Sequence, residues 1–154
     1  MSIQVSSPAF AEGDRIPVKH TADGDDVSPE LRWSGAPPNT KSFALVCEDP
    51  DAPRGNWTHW VLFNIPADKT NLAEGVSKEK ELPDGARQGK NDFGKIGYGG
   101  PSPPKGKPHR YFFKLYALDT KLDLPAGATR QQVLDAIKGH VLAEGQLMGL
   151  YGRS

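Results

Sequence analysis

"SFALVCEDPDAPRGNWTHWVLFNIP", from Ser42 to Pro66, sets two nearly continuous apolar runs on either side of a stiff polar turn. Runs of this length, bounded by Asp and Pro, read as central strands covered on both faces. A third run of the same kind, "RYFFKLYAL", starts at Arg110. Shorter runs surround these three: "IQVSS" from Ile3, "IPVKHT" from Ile16, "LRWS" from Leu31 and "QLMGLYG" from Gln146. Each is rich in β-branched or aromatic residues or flanked by turn formers, the pattern of a strand. Long polar connections separate them in place of regular helical segments, so a βαβ alternation is not expected. A mainly β, single domain over residues 1–154 is.

One helix stands out over Thr129–Ala143. Thr129 and Gln132 form a capping box, Val133, Leu134, Ile137 and Val141 recur at helical spacing, and Gly145 supplies a stop. This places His140 in the last helical turn. A weaker helical turn is expected around Leu72–Lys80. No internal repeat or composition break marks a second domain.

Composition excludes several classes of function. Nineteen basic residues balance nineteen acidic ones, which leaves no electrostatic footprint for nucleic acid or an anionic membrane. No apolar run approaches spanning length. The opening "MSIQVSSPAF" lacks both the basic and the apolar regions of a leader, and Cys47 is the only cysteine, so a cytoplasmic protein with an inert core thiol is the expectation. Asn56-Trp57-Thr58 fits a glycosylation sequon that such a location would leave unused.

Twelve of the 26 residues from Pro83 to Pro108 are Gly or Pro. Phe93 and Tyr98 sit among them and a core strand follows at once, so this reads as an ordered functional loop. Its "GARQGKN" is one residue short of a phosphate-binding P-loop and lacks the Ser or Thr after lysine, and "GYGGP" opens no helix. There is no Gly-x-Ser-x-Gly, and Cys47 has no neighbouring base. Asp49, Asp51, His59 and His109 could be arranged as a metal set, but none has a close ligand spacing, and no metal or cofactor is expected.

An anion pocket fits these residues better. His59 opens one central strand, and His109 with Tyr111, two residues apart and so on one face, opens another. If the two strands are neighbours, three N–H and O–H donors meet at one sheet end. The glycine-rich loop would add backbone N–H groups. Asp49, preset by its prolines, would hold a pocket histidine in place, while Asp51 caps the turn.

The residues named so far, in this order, resemble the phosphatidylethanolamine-binding proteins, in the Raf-kinase-inhibitor-like branch found in bacteria and archaea. The resemblance spans nearly the whole chain. It rests on Asp-Pro-Asp-x-Pro followed by a Trp-x-His strand, and on a Gly-rich Pro-Pro segment ending in His109-Arg110-Tyr111. It implies a large antiparallel sheet packed on a smaller one with few peripheral helices. It also implies a small cavity for phosphate, phosphorylated head groups or similar anions. The residues it assigns to that cavity are Asp49, Ala52, Pro53, Trp57, His59, His109 and Tyr111. Gly99 or Gly100, with Pro103 and Pro104, is assigned to a loop wall. Eukaryotic members continue into a C-terminal helix over the cavity; the sequence here stops at Ser154, which implies a more open pocket.

A non-enzymatic protein binding a small anionic ligand, with modulation of an unidentified partner protein, is the leading expectation. Inhibition of a protease or kinase through protein contact is the alternative, and a hydrolase using His59 or His109 as base comes third. A loosely held homodimer is the expected assembly, since symmetric dimers are the commonest oligomers.

Overall fold

The three apolar runs become adjacent strands. In the computed structural model, which describes residues 2–153, they are β3 (Ser42–Asp49), β4 (Trp57–Pro66) and β7 (His109–Leu118). β3 lies between the other two, antiparallel to both. With β6 (Arg87–Gln88) and β8 (Val141–Tyr151) at the edges, they form a sheet ordered β6-β4-β3-β7-β8. A second sheet, β1-β2-β5, is built from Gln4–Ser6, Leu31–Ser34 and Asn71–Leu72.

Continuous apolarity follows from having layers on both sides of the large sheet. Phe43, Leu45, Cys47, Trp60, Leu62, Phe113 and Leu115 face the small sheet and meet Leu31, Trp33 and Leu72. The rings of Trp33 and Phe43 lie 5.5 Å apart. Ala44, Val61, Phe63 and Leu118 face the other way, against Leu122, Ala128 and the helix α1 (Arg130–Ile137). Each such fully buried Leu or Phe contributes about 1.5–3 kcal/mol. β8 is half-exposed, and its burial alternates accordingly.

β4 carries two bulges. Phe43 pairs with Ile65 but Leu45 with Leu62, so Asn64 enters as an extra residue at φ 56°. Cys47 pairs with Trp60 but Glu48 with Thr58, which makes His59 the extra residue at the other end.

The structure corrects several elements. The capping box at Thr129 and Gln132 is formed, but the helix stops at Ile137. Gly139, at φ 82°, turns the chain, and Val141 opens β8. Gly145 is no stop: it pairs with Leu115 inside the sheet, where a Cβ would collide with the Ile3 carbonyl. His140 lies beyond the helix, with its Nδ1 2.8 Å from Asp119. The stretch after Ile16 is a single 3-10 turn over Val18–His20: Val18 faces solvent, and the buried His20 and Thr21 bond within the loop, to the Val27 and Val18 carbonyls. No helical turn forms between Leu72 and Lys80: β5 ends at Leu72, and the Gly75 and Val76 N–H groups turn to Ser28. No helix among the described residues is long and apolar enough to cross a membrane.

The loop from Pro83 to Pro108 is held along the outer edge of β4. N–H groups of Gly89, Asp92 and Gly99 donate to the carbonyls of Val61, Thr58 and His59. Asn91 organises the next turn, its Oδ1 accepting from the Phe93 and Lys95 N–H groups and its Nδ2 donating to the Gly97 carbonyl.

Candidate functional site

The bulge at His59 creates the site. In a regular strand His59 and Trp60 would point to opposite faces. The extra residue turns both toward the small-sheet side, the re-aiming that bulges beside sites produce. Trp60 joins the core, its ring 5.5 Å from that of Tyr98. The His59 ring lies edge-on to Tyr111 at 5.2 Å. β4 and β7 are not neighbours, contrary to the expectation from sequence. They flank β3, and His59, Asp49 and the His109–Tyr111 pair converge from three adjacent strands.

Asp49 is 3% exposed. Its Oδ2 is 2.7 Å from His109 Nδ1, and its Oδ1 accepts from the Asp51 N–H at 2.8 Å. Asp49 therefore both backs a histidine and caps the turn. Asp51 has a different role from the one expected. It reaches across to Arg110, accepting from the backbone N–H at 2.9 Å, from Nε at 3.0 Å and from Nη2 at 2.9 Å. Hydrogen bonding from that guanidinium holds the Asp51 carboxyl at a pKa of about 2.

His59, 3% exposed, uses Nδ1 on the Gly99 carbonyl at 2.7 Å. Burial pushes its pKa down. The carbonyls of Gly99 and Gly100 and the charges of Asp49 and Asp92 oppose that shift without cancelling it. Tyr111 is raised well above the ordinary phenol range, by burial first and then by the Asp49 charge. Its hydroxyl is buried with no hydrogen-bond partner among the described residues.

These groups surround a cavity of about 260 Å³. Asp49, His59, His109 and Tyr111 supply its polar side, and Ala52, Pro53, Trp57, Pro103 and Pro104 its apolar walls. Gly99 and Gly100 do not line it, and their N–H groups do not point into it. Gly99 N–H is bound to the His59 carbonyl and Gly100 N–H to Asp26 Oδ1. The glycines act through close approach: a Cβ on Gly99 would sit 2.7 Å from the Phe93 ring. No three His, Cys, Asp or Glu side chains gather as a metal-ligand set among the described residues.

The profile of the phosphatidylethanolamine-binding protein family matches residues 6–152. The chain belongs to that family. A UPF0098 protein of Methanothermobacter thermautotrophicus is 55% identical over 151 residues, covering 98% of this chain and 99% of its own. The UPF0098 protein YbhB of Escherichia coli is 43% identical over 157 residues, covering 97% and 99%. Among solved structures, YbcL of Escherichia coli, described as a member of the mammalian family, superposes with a TM-score of 0.92 at 38% identity over 100% of both chains. A family homologue from Chlamydia trachomatis gives 0.90 at 40% identity over 99% of both.

Three lining residues of this family member were missed by the sequence reading: Arg54, Phe93 and Ser102. Phe93 had a signal. Asn91 two residues before it and Gly94 just after it mark a side-chain-capped turn, which lifts the ring onto Trp57 and His59 at 5.6 and 5.4 Å. Arg153 holds the opposite wall, donating to the Pro103 carbonyl at 3.0 Å while Asp23 anchors its guanidinium at 2.7 Å. Neither local composition nor spacing carried that link.

Proposed function

We propose that this protein is a non-enzymatic binding protein whose cavity takes one small anionic group, such as phosphate, a phosphorylated head group or a carboxylate. The observation that carries this reading is the Tyr111 hydroxyl, buried beside two histidines without a partner among the described residues. A buried polar group left unpaired costs about 1–3 kcal/mol, a cost that a bound oxyanion would remove. His109 is backed by Asp49, whose Oδ2 lies 2.7 Å from its Nδ1 and fixes the direction of the ring. The apolar walls would strengthen these bonds by excluding water.

Binding is favoured over turnover by the surroundings of the histidines. Ser102, the other hydroxyl along the wall, bonds neither histidine and lies toward Arg153 at 3.4 Å. Nothing there forms the nucleophile–base pair that covalent catalysis needs.

Thermal unfolding with inorganic phosphate tests the reading. At a hundredfold excess over Kd a ligand adds about 2.7 kcal/mol, a rise in Tm of roughly 5–10 °C for a chain of this size. His59→Ala is expected to abolish that rise. Equal shifts in wild type and variant would remove the cavity from the account.

A further inference from the structure

We infer that the cavity selects an anion that still carries a proton. Its preferred ligand is then the monoanionic form of inorganic phosphate or a phosphomonoester, taken over sulfate, sulfate esters and phosphodiesters. The inference rests on the anion-binding reading above and narrows its ligand.

The Gly99 carbonyl decides which nitrogen of His59 holds the ring proton. A carbonyl oxygen only accepts, so the His59 nitrogen 2.7 Å from it, Nδ1, carries the ring proton. In a neutral imidazole the other nitrogen is then a bare acceptor. That nitrogen, Nε2, has no protein partner among the described residues, and His59 lines the cavity. The groups sharing the cavity with it are Asp49 from β3, His109 and Tyr111 from β7 and Arg54 from the turn, and the charge of Asp92 acts on the ring from outside the lining. The buried setting disfavours a charged ring at this position, and the two acids do not reverse that.

The cavity is thus lined by an imidazole with an acceptor nitrogen from β4 and, with its ring 5.2 Å away, a tyrosine from β7 whose hydroxyl has no partner among the described residues. A fully ionised oxyanion would set one of its lone pairs against that of Nε2. A ligand P–O–H would donate to Nε2 while another of its oxygens accepts from Tyr111. The proton stays on the ligand, and no covalent bond changes. A phosphomonoester has its second pKa near 6, so about one molecule in ten carries the needed proton at pH 7. Sulfate, sulfate esters and phosphodiesters have no proton to offer there.

Titration calorimetry at pH 7 with inorganic phosphate, methyl phosphate, sulfate and dimethyl phosphate tests this. Phosphate and methyl phosphate are expected to bind at least tenfold more tightly than sulfate and dimethyl phosphate. His59→Gln, whose amide can donate at the Nε2 position, is expected to narrow the gap to about twofold. Sulfate binding as tightly as phosphate to the wild type would overturn the inference and leave the anion pocket standing. No binding of any of the four would overturn both. Nitrogen-15 NMR of the wild-type phosphate complex decides independently of any variant. An unprotonated Nε2 on His59 supports the inference, and an imidazolium signal overturns it.

Discussion

The two bulges of β4 share a strand and a partner but differ in what they leave behind. At Asn64 both polar groups of the side chain are paired: it donates from Nδ2 to the Leu122 carbonyl at 2.9 Å and accepts the Leu122 N–H on Oδ1 at 2.7 Å. At His59 only one face is closed. Along the outer edge of β4 Asp92 pairs with both backbone groups of Thr58, and on the helix side Glu48 is enclosed by Lys114, Arg130 and Asn56. On the small-sheet side Tyr111 keeps a hydroxyl and His59 a nitrogen without a partner among the described residues. A bulge whose polar groups are all satisfied is architecture. One that leaves donors and acceptors aimed at a cavity is a candidate site.

The largest effect is expected where closure is complete. Asn64→Val forces a β-branched residue into a left-handed conformation and leaves the Leu122 groups unpaired, at about 3 kcal/mol of stability. Asn64→Gly accepts the backbone angle but loses the bonds, at about 1–2 kcal/mol. Urea unfolding separates the two. A valine variant within about 0.5 kcal/mol of wild type would mean that this bulge is not held as described.

At the open end, the two carboxylates of the Asp-Pro-Asp turn are expected to part company. Asp49→Asn removes the charge facing His109 and should weaken phosphate binding by about 1–2 kcal/mol. Asp51→Asn loses a half-exposed pair with Arg110 and should change binding by less than about 0.5 kcal/mol. Calorimetry giving the reverse order would exchange their roles.

A smaller effect probes the closed face of the same bulge. Bonds from Lys114 and Asn56 and the Arg130 charge outweigh the burial of Glu48 and leave its folded pKa below the ordinary carboxylate value. A depressed folded pKa contributes stability that is present above the unfolded value, about 4.3, and is lost as pH falls through the folded one. Between pH 6 and pH 3 the wild type should therefore lose more stability than Glu48→Gln, measured by urea unfolding at each pH. Parallel decline in the two proteins would show that Glu48 contributes nothing in that window.

What the sequence made legible follows the same division. β3, β4 and β7 could be read because a strand covered on both faces must be apolar without interruption. The Asp49 and His109 neighbourhoods could be read because their residue types and order are distinctive. The bulges could not, since they depend on how β4 registers against β3, and no local pattern records that pairing. The helix was overextended because Val141 falls in phase with Ile137 by coincidence, while the chain reverses at Gly139. Gly99 and Gly100 serve differently from the anion-binding backbone expected of a glycine-rich loop: their N–H groups are spent on His59 and Asp26, and it is their missing side chains that let the loop close.

Tyr111→Phe tests the central claim most directly, because it deletes the unpaired hydroxyl and little else. Stability without ligand should stay level or rise by up to about 1 kcal/mol, since an unsatisfied buried group is removed. Phosphate affinity measured on the same sample should fall about tenfold, the loss of one hydrogen bond to a charged group. A variant that melts several degrees lower, or that binds phosphate as tightly as the wild type, would contradict the account.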